Sequence, residues 1–253
     1  MAVPIIIGPG ISVGRGITIA AFPPLILSGL QLYLDAGDPA SYPGTGTSWF
    51  DISGNSNTGT LLNAPPYTSG TSGYFTFDGV DDRVSFVNTN GFGTGGSAPA
   101  ATMSFWANIQ RRTGAGQLYQ QIAGFRNDTS YNFFFLLLDT GGATVPTEAR
   151  LGTPTGLAYD INVTFPYIGT WVNVAFVANI NRTDLYFNGV LAGSNTNVAG
   201  TFGANSGQFS VGAGTGGGYP TKGNISNVLF YNRALSAGEV LQNFNALRDR
   251  YGL

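Results

Sequence analysis

Cysteine and histidine are both absent from this chain of 253 residues. Without cysteine there is no disulfide framework and no thiolate metal site, a composition that fits folding in a cytosol. Without histidine there is no Ser-His-Asp triad, no imidazole base and no imidazole ligand. The residue types on which zinc and copper sites rely are therefore missing. Glutamate occurs only as Glu148 and Glu239 and lysine only as Lys222, whereas long helices usually draw on both. Charged residues make up 9% of the chain and the net charge is −2. Nucleic-acid binding wants a basic stripe, and Arg111-Arg112 is the only adjacent basic pair within the body, so no nucleic-acid partner is expected. No run approaches 18 apolar residues, so no membrane insertion is expected either. The apolar start, MAVPIIIGPG, lacks a preceding basic residue and is broken by Pro4, Gly8, Pro9 and Gly10. It reads as the start of a mature protein rather than a secretory signal.

Apolar residues reach 43%, aromatics 13%, and there are 38 glycines. That apolar content is enough for a core, and the mixture is that of short strands joined by tight turns. Three regions follow. Residues 1–27 form an apolar arm in which Ile5/Ile7, Ile11/Val13 and Ile17/Ile19 recur with strand alternation between Gly-rich turns, and Pro23-Pro24 marks its boundary. Such short strands cannot bury themselves alone. They either fold back as an edge strand on the same domain or reach another subunit.

Residues 28–233 read as successive strands: 30–36, 74–79, 83–87, 103–109, 132–139, 171–180, 184–193, 208–214 and 225–232. Regular short strands with turn signals argue a sandwich or barrel. The FFFLLL run at 133–138 reads as a central strand. Residues 236–249 form the one helix, opened by a Ser236/Glu239 capping box, with Val240, Leu241, Phe244 and Leu247 at helical spacing. Arg248 and Arg250 sit where they complement the dipole, and Gly252 can end the turn.

The order LYLDA (32–36), W-x-DISGNSN-x-G (49–59), FDGVDDRV (77–84) and SFWANI (104–109) resembles the concanavalin-like lectin/glucanase superfamily, and within it the laminin-G-like type. WVNVAFV (171–177), LYFNG (185–189) and GNISNVLFYNRALSAGEV (223–240) continue the resemblance, which spans about residues 29–245. It implies an all-β, antiparallel two-sheet jelly-roll sandwich over residues 28–253, with the N-terminal arm and the short C-terminal helix attached. It also implies glycan or protein binding in most members and hydrolysis in some. The arm together with the NFNALRDRYGL tail is similar to structural proteins of tailed phages, including those of cyanobacteria.

Glycoside hydrolysis needs two carboxylates about 5–10 Å apart. Glucanases of this superfamily carry glutamates two residues either side of an aspartate on one strand. Here Glu239 reads as a helix cap and Glu148 lies in a polar, loop-like stretch, so the chain is read as non-enzymatic. Asp51, Ser53, Asn55 and Asn57 place oxygen-bearing side chains at alternate positions, as a Ca2+ loop does, although Leu62 stands where an EF-hand has its glutamate. The competing reading is a turn in which Asp and Asn side chains bond their own backbone. Asp78, Asp81 and Asp82 read as a structural turn that Arg83 can neutralise. Tyr119, Tyr131, Tyr159, Tyr167 and Tyr219, all in loop-like contexts near Asn, Asp or Gly, are the candidate glycan platforms. Trp106 and Trp171 read as core, and Trp49 as either. The expected protein is a virion surface component made in the host cytoplasm: a capsid decoration, head appendage or fibre part. Its expected partners are other virion proteins, through the arm, and cell-surface glycans, as a homo-oligomer for which a trimer suits an appendage. A calcium-dependent lectin is the alternative, and a glycoside hydrolase the third reading.

Overall fold

The computed structural model describes residues 23–86, 100–112, 118–127, 130–139, 147–152, 161, 163–179, 181–196, 209–214 and 216–253. The arm residues Ile5, Ile7, Ile11, Val13, Ile17 and Ile19 lie outside them, as does Tyr159. In chain order the strands are β1 (Leu30–Asp35), β2 (Ser48–Trp49), β3 (Gly59–Leu62), β4 (Tyr67–Thr68), β5 (Tyr74–Asp78), β6 (Arg83–Ser85), β7 (Ala100–Ile109) and β8 (Leu118–Asn127). Then come β9 (Ser130–Asp139), β10 (Thr147–Gly152), β11 (Val163–Phe165), β12 (Trp171–Asn179), β13 (Arg182–Phe187), β14 (Val190–Asn195), β15 (Phe209–Val211) and β16 (Lys222–Tyr231). Helix α1 (Ala237–Leu247) and a 3-10 turn (Arg248–Tyr251) close the chain.

The strands form two antiparallel sheets. The back sheet runs β14-β13-β12-β7-β16-β5-β4, with β1 also pairing with β16, and the front sheet runs β11-β10-β9-β8-β15-β6-β3-β2. Alternate residues turn inward, and the two inner faces meet in one apolar layer. Leu32, Leu34, Phe75, Phe77, Met103, Phe105, Val174, Phe176, Val228 and Phe230 contribute from the back. Trp49, Leu61, Val84, Ile122, Phe125, Phe135, Leu137, Phe209 and Val211 contribute from the front. The FFFLLL run is indeed internal to its sheet, as β9 between β8 and β10.

β7 and β12 read as almost unbroken apolar runs because both of their faces are covered. Phe105 and Phe176 turn inward, while Trp106, Ala175 and Val177 turn outward beneath α1 and the segment leading into it. Trp106 is fully buried there, stacked on Tyr251 (4.0 Å, 12°) and on Phe244 (5.7 Å, 16°). Trp171 is half-buried beside Tyr251 rather than in the central core.

The capping box forms as expected: Ser236 Oγ accepts from Glu239 N, and Ser236 N donates to Glu239. Arg233 adds a fork onto the same carboxylate, at 2.7 and 3.0 Å. That guanidinium, with help from the Ser236 amide, pulls the Glu239 carboxyl down to about 2 from an ordinary value near 4.5. A depressed carboxylate stabilises the fold above its unfolded pKa, and that contribution fades as pH falls through its folded one. Glu239 should therefore hold α1 in place above about pH 4.5 and release it progressively between 4.5 and 2. Urea melts at stepped pH should show this loss in the native chain and a flatter profile in Glu239→Gln.

Several elements depart from the sequence reading. The stretch 184–193 is two strands, because Asn188 (φ 51°) and Gly189 (φ 75°) form a tight hairpin turn between β13 and β14. Two successive positive φ values at Asn-Gly are the hairpin signal. The helix stops at Leu247 and tightens into the 3-10 turn before Gly252, which is left-handed at φ 74°. Arg250 serves an ion pair with Asp35 rather than the dipole. Glu148 lies in strand β10, Tyr119 in β8 and Tyr131 in β9, none of them in a loop. Residues 24–27, assigned to the arm, are strapped to the body. Gln242 Nε2 donates to the Pro24 carbonyl (2.7 Å), Ile26 N to Asn243 Oδ1 (2.9 Å), and Tyr231 OH to the Ile26 carbonyl (2.9 Å).

Candidate functional site

Helix α1 and the segment before it cover the outer face of the back sheet, and the candidate site lies on the front sheet, at the outer face of β8. On β8 the direction of each side chain is set by Gln120. It is fully buried and ties the two sheets, donating through Nε2 to the Gln110 carbonyl (3.0 Å) and accepting at Oε1 from Lys222 N (2.7 Å). Its register partner Leu137 belongs to the core. The pleat therefore turns Tyr119 and Gln121 outward.

The loop between β15 and β16 folds back over this face. Gly214 N donates to the Gly218 carbonyl and Gln121 N to the Tyr219 carbonyl, both at 2.8 Å. Tyr219 is left with φ 57°, a left-handed conformation that is uncommon for a tyrosine. Such strain is held by its surroundings and concentrates at functional sites. Here it sets the Tyr219 ring against the Tyr119 ring, centroids 5.4 Å apart and nearly perpendicular at 83°. Arg112 Nη1 donates to the Tyr119 carbonyl at 3.2 Å, so a cation borders the pair. Below, Gln121 Nε2 meets Ser210 Oγ at 3.3 Å, while its Oε1 is a buried acceptor that meets no donor among the described residues. Two half-exposed aromatic rings with a guanidinium beside them form the kind of surface that takes the apolar face and the hydroxyls of a sugar.

The structure thus brings together two of the five tyrosines read from the sequence. Tyr167 is elsewhere, packed edge-on to Phe165 and Phe187 at the core margin. For Tyr131 the backbone register opposite Arg126 is described but not the side chain. Glu148 is in register with Leu138, which is in register with Tyr119. Its backbone therefore lies two strands from that of Tyr119, roughly 10 Å at ordinary strand spacing. Glu239 is on α1, on the opposite side of the sandwich, so the chain's two glutamates do not form a pair across one cleft.

The Asp51 loop lies along the outer edge of β1. Asp51 Oδ1 accepts from Tyr33 N and Ser53 N, and Oδ2 from Ser53 Oγ and Asn57 N, all within 2.8–2.9 Å. Asn55 and Asn57 amides donate to the carbonyls of Leu30 and Gln31. The alternate spacing of polar residues thus serves to cap a strand edge. Calcium takes six to eight oxygens, and an ion here would have to displace the four donors on Asp51.

Asp78, Asp81 and Asp82 have carboxylate oxygens within 4.8 Å of one another in the β5–β6 turn. Asp78 Oδ1 accepts from Val80 N and Asp82 Oδ2 from Asp78 N. Burial, then the charges of Asp78 and Asp81, push the Asp82 carboxyl up.

The polar pair missed in the sequence is Asp35–Arg250. The guanidinium grips the buried carboxylate with both Nη atoms (2.6 and 2.7 Å), and Tyr33 OH and Gly37 N complete it at 2.9 Å. Burial works against the Arg250 charge, but the Asp35 carboxylate outweighs it and raises the guanidinium pKa. A shallow depression of about 430 Å³ borders the pair. A contact 215 residues apart in sequence carries no local signal.

Comparison with known proteins agrees with this architecture. No curated protein sequence matches the chain. Among solved structures, a Trypanosoma rangeli sialidase in complex with the inhibitor DANA superposes with a TM-score of 0.62 at 16% identity, covering 92% of this chain and 36% of that one. The binding domain of Paraclostridial Mosquitocidal Protein 1 gives 0.64 at 16%, covering 87% and 52%. Domain 4 of AbnA, a GH43 extracellular arabinanase from Geobacillus stearothermophilus solved with arabinotriose, gives 0.58 at 19%, covering 85% and 97%. The chain thus spans from about a third to half of the sialidase and toxin structures but nearly all of the arabinanase domain. At such identities the likeness is one of fold. The laminin-G-type family model matches residues 70–241, and the chain belongs to the concanavalin A-like lectin/glucanases superfamily.

Proposed function

We propose that this chain is a non-catalytic, glycan-binding structural protein on the surface of a phage particle, as a capsid decoration, head appendage or fibre component. The observation that carries the glycan reading is the Tyr119–Tyr219 corner on the front sheet. The arabinanase domain solved with arabinotriose and the toxin's binding domain give it support from the same fold. The virion reading draws on the strand-patterned arm and the tail, with the arm assembling by strand addition to a neighbour.

A glycan array run with the full chain tests the first part. One glycan class should bind, and Tyr119→Ala or Tyr219→Ala should weaken it at least about tenfold, roughly 1.4 kcal/mol, without lowering the melting temperature. Silence across the array, or binding indifferent to both tyrosines, sinks the glycan reading. Deletion of residues 2–22 tests the second part. It must stop there because residues 24–27 belong to the body. Loss of self-assembly or of particle occupancy supports the arm's role, and no change refutes it.

A further inference from the structure

Sheet edges are templates for adding another strand, and proteins blunt them by shortness, proline, charge or cover. Four of the described edges are blunted. β2 and β4 have two residues each, and Pro65-Pro66 precedes β4. β11 has three residues and is closed by Pro166. The outer edge of β1 is capped by the Asp51 loop. β14 is different: it is six residues long, VLAGSN, with no charge and no proline. Among the described residues it pairs with β13 alone.

The start of this edge is also apolar. Val190 is 68% exposed and Leu191 47%, and Leu241 of α1 is 44% exposed beside them. A Cβ at Gly189 would stand 2.9 Å from Leu241 Cδ1, which places the hairpin directly against the helix. The next helical residue, Gln242, holds the Pro24 carbonyl. Pro24, at the start of the described body, therefore lies beside this patch.

We infer that residues 1–22 of a second copy of this chain dock on the exposed start of the β14 edge, from Val190 to Ser194, adding a strand there and covering Val190, Leu191 and Leu241. This rests on the assembly reading above and names its acceptor. The donor pattern fits: Ile17/Ile19, like the two pairs before it, alternates apolar residues with small or polar ones, as a strand laid over an apolar patch requires. Extended, 22 residues span up to about 70 Å, against a radius of gyration of roughly 18 Å for a domain of this length. Pro23-Pro24 has fixed φ values, which stiffen the junction between the segment and the body. An arm of one copy on the β14 edge of the next is a head-to-tail contact, which closes into a ring when the rotation allows.

The test is sedimentation of the full chain, the chain lacking residues 2–22, and the Val190→Lys/Leu191→Lys chain, with circular dichroism to confirm folding. Both altered chains should raise the oligomer dissociation constant at least tenfold. If the deletion dissociates the oligomer but the lysine variant does not, the β14 site is wrong while the assembly reading stands. If the deletion changes nothing, both fall. Because the chain has no cysteine, Ile19→Cys chains mixed with Leu191→Cys chains under an added oxidant give a further readout. Disulfide-linked dimers support exchange. A bond formed only within a doubly substituted chain shows that the arm folds back and overturns the second-copy acceptor.

Discussion

Replacing Arg250 by Ala is expected to destabilise the domain by about 3–5 kcal/mol, because it leaves the buried Asp35 carboxylate without its counter-charge. Asp35 is 2% exposed, and the Arg250 side chain, at 20%, is largely withdrawn from water. A pair so shielded is screened little by salt, so the loss should persist in high salt, unlike that of a surface bridge. The damage should spread along the tail. Next to Arg250, Tyr251 donates to Ser226 Oγ (2.7 Å), accepts from Asn227 Nδ2 (3.1 Å) and stacks on Trp106. At 2–4 °C per kcal/mol for a domain of this size, the melting temperature should fall by roughly 10 °C. The Asp35→Leu/Arg250→Met chain should recover much of this, since replacing both charges with apolar groups leaves none buried alone. It should not recover all of it, because Tyr33 OH and Gly37 N lose their acceptor. Equal melting curves for the native and Arg250→Ala chains would show that the tail contributes nothing to the body.

Asp51→Ala should have the second-largest effect. It strips four donors of one charged acceptor, and hydrogen bonds to charged groups contribute about 1.5–3 kcal/mol each and are not additive. A loss of about 3 kcal/mol is expected, with the β1 edge freed from its loop. Thermal melts of both chains in calcium and in chelator separate the two uses of this motif. If the carboxylate is a cap, chelator leaves the native melting temperature unchanged, and the substitution costs the same in both buffers. A native melting temperature that rises with calcium, and does so only with Asp51 present, would instead support the calcium-dependent lectin.

How much of this could be read in the sequence varies element by element, with physical reasons. Period-2 alternation marks β1 and β5 because one face of each is core and the other is not. The capping box and the 3.6 spacing mark α1, because both signals are local. The β8 strand was missed because Gln120 and Gln121 interrupt its apolar pattern. Both are buried, one tying the two sheets together and the other lying under the β15–β16 loop. The β13–β14 hairpin was missed although Asn188-Gly189 announces it, because the apolar residues on either side read as one run. Of the candidate site, the tyrosines are visible as residue types, but nothing local says that Tyr119 and Tyr219, a hundred positions apart, meet.

By itself, then, the sequence determined the class of the protein. The absence of cysteine and histidine, the scarcity of glutamate and lysine, and the alternation of apolar residues between turns allow a β-sandwich with one helix and leave few groups for catalysis. Tertiary structure decided which face is open and which is closed. The packing of α1 on Trp106, the clamp of Arg250 on Asp35 and the strap at Pro24–Ile26 cover the back sheet and leave the start of β14 exposed. Those contacts join residues more than a hundred positions apart in the chain. They depend on side-chain volume and on paired donors and acceptors in three dimensions, which no local period in a sequence encodes.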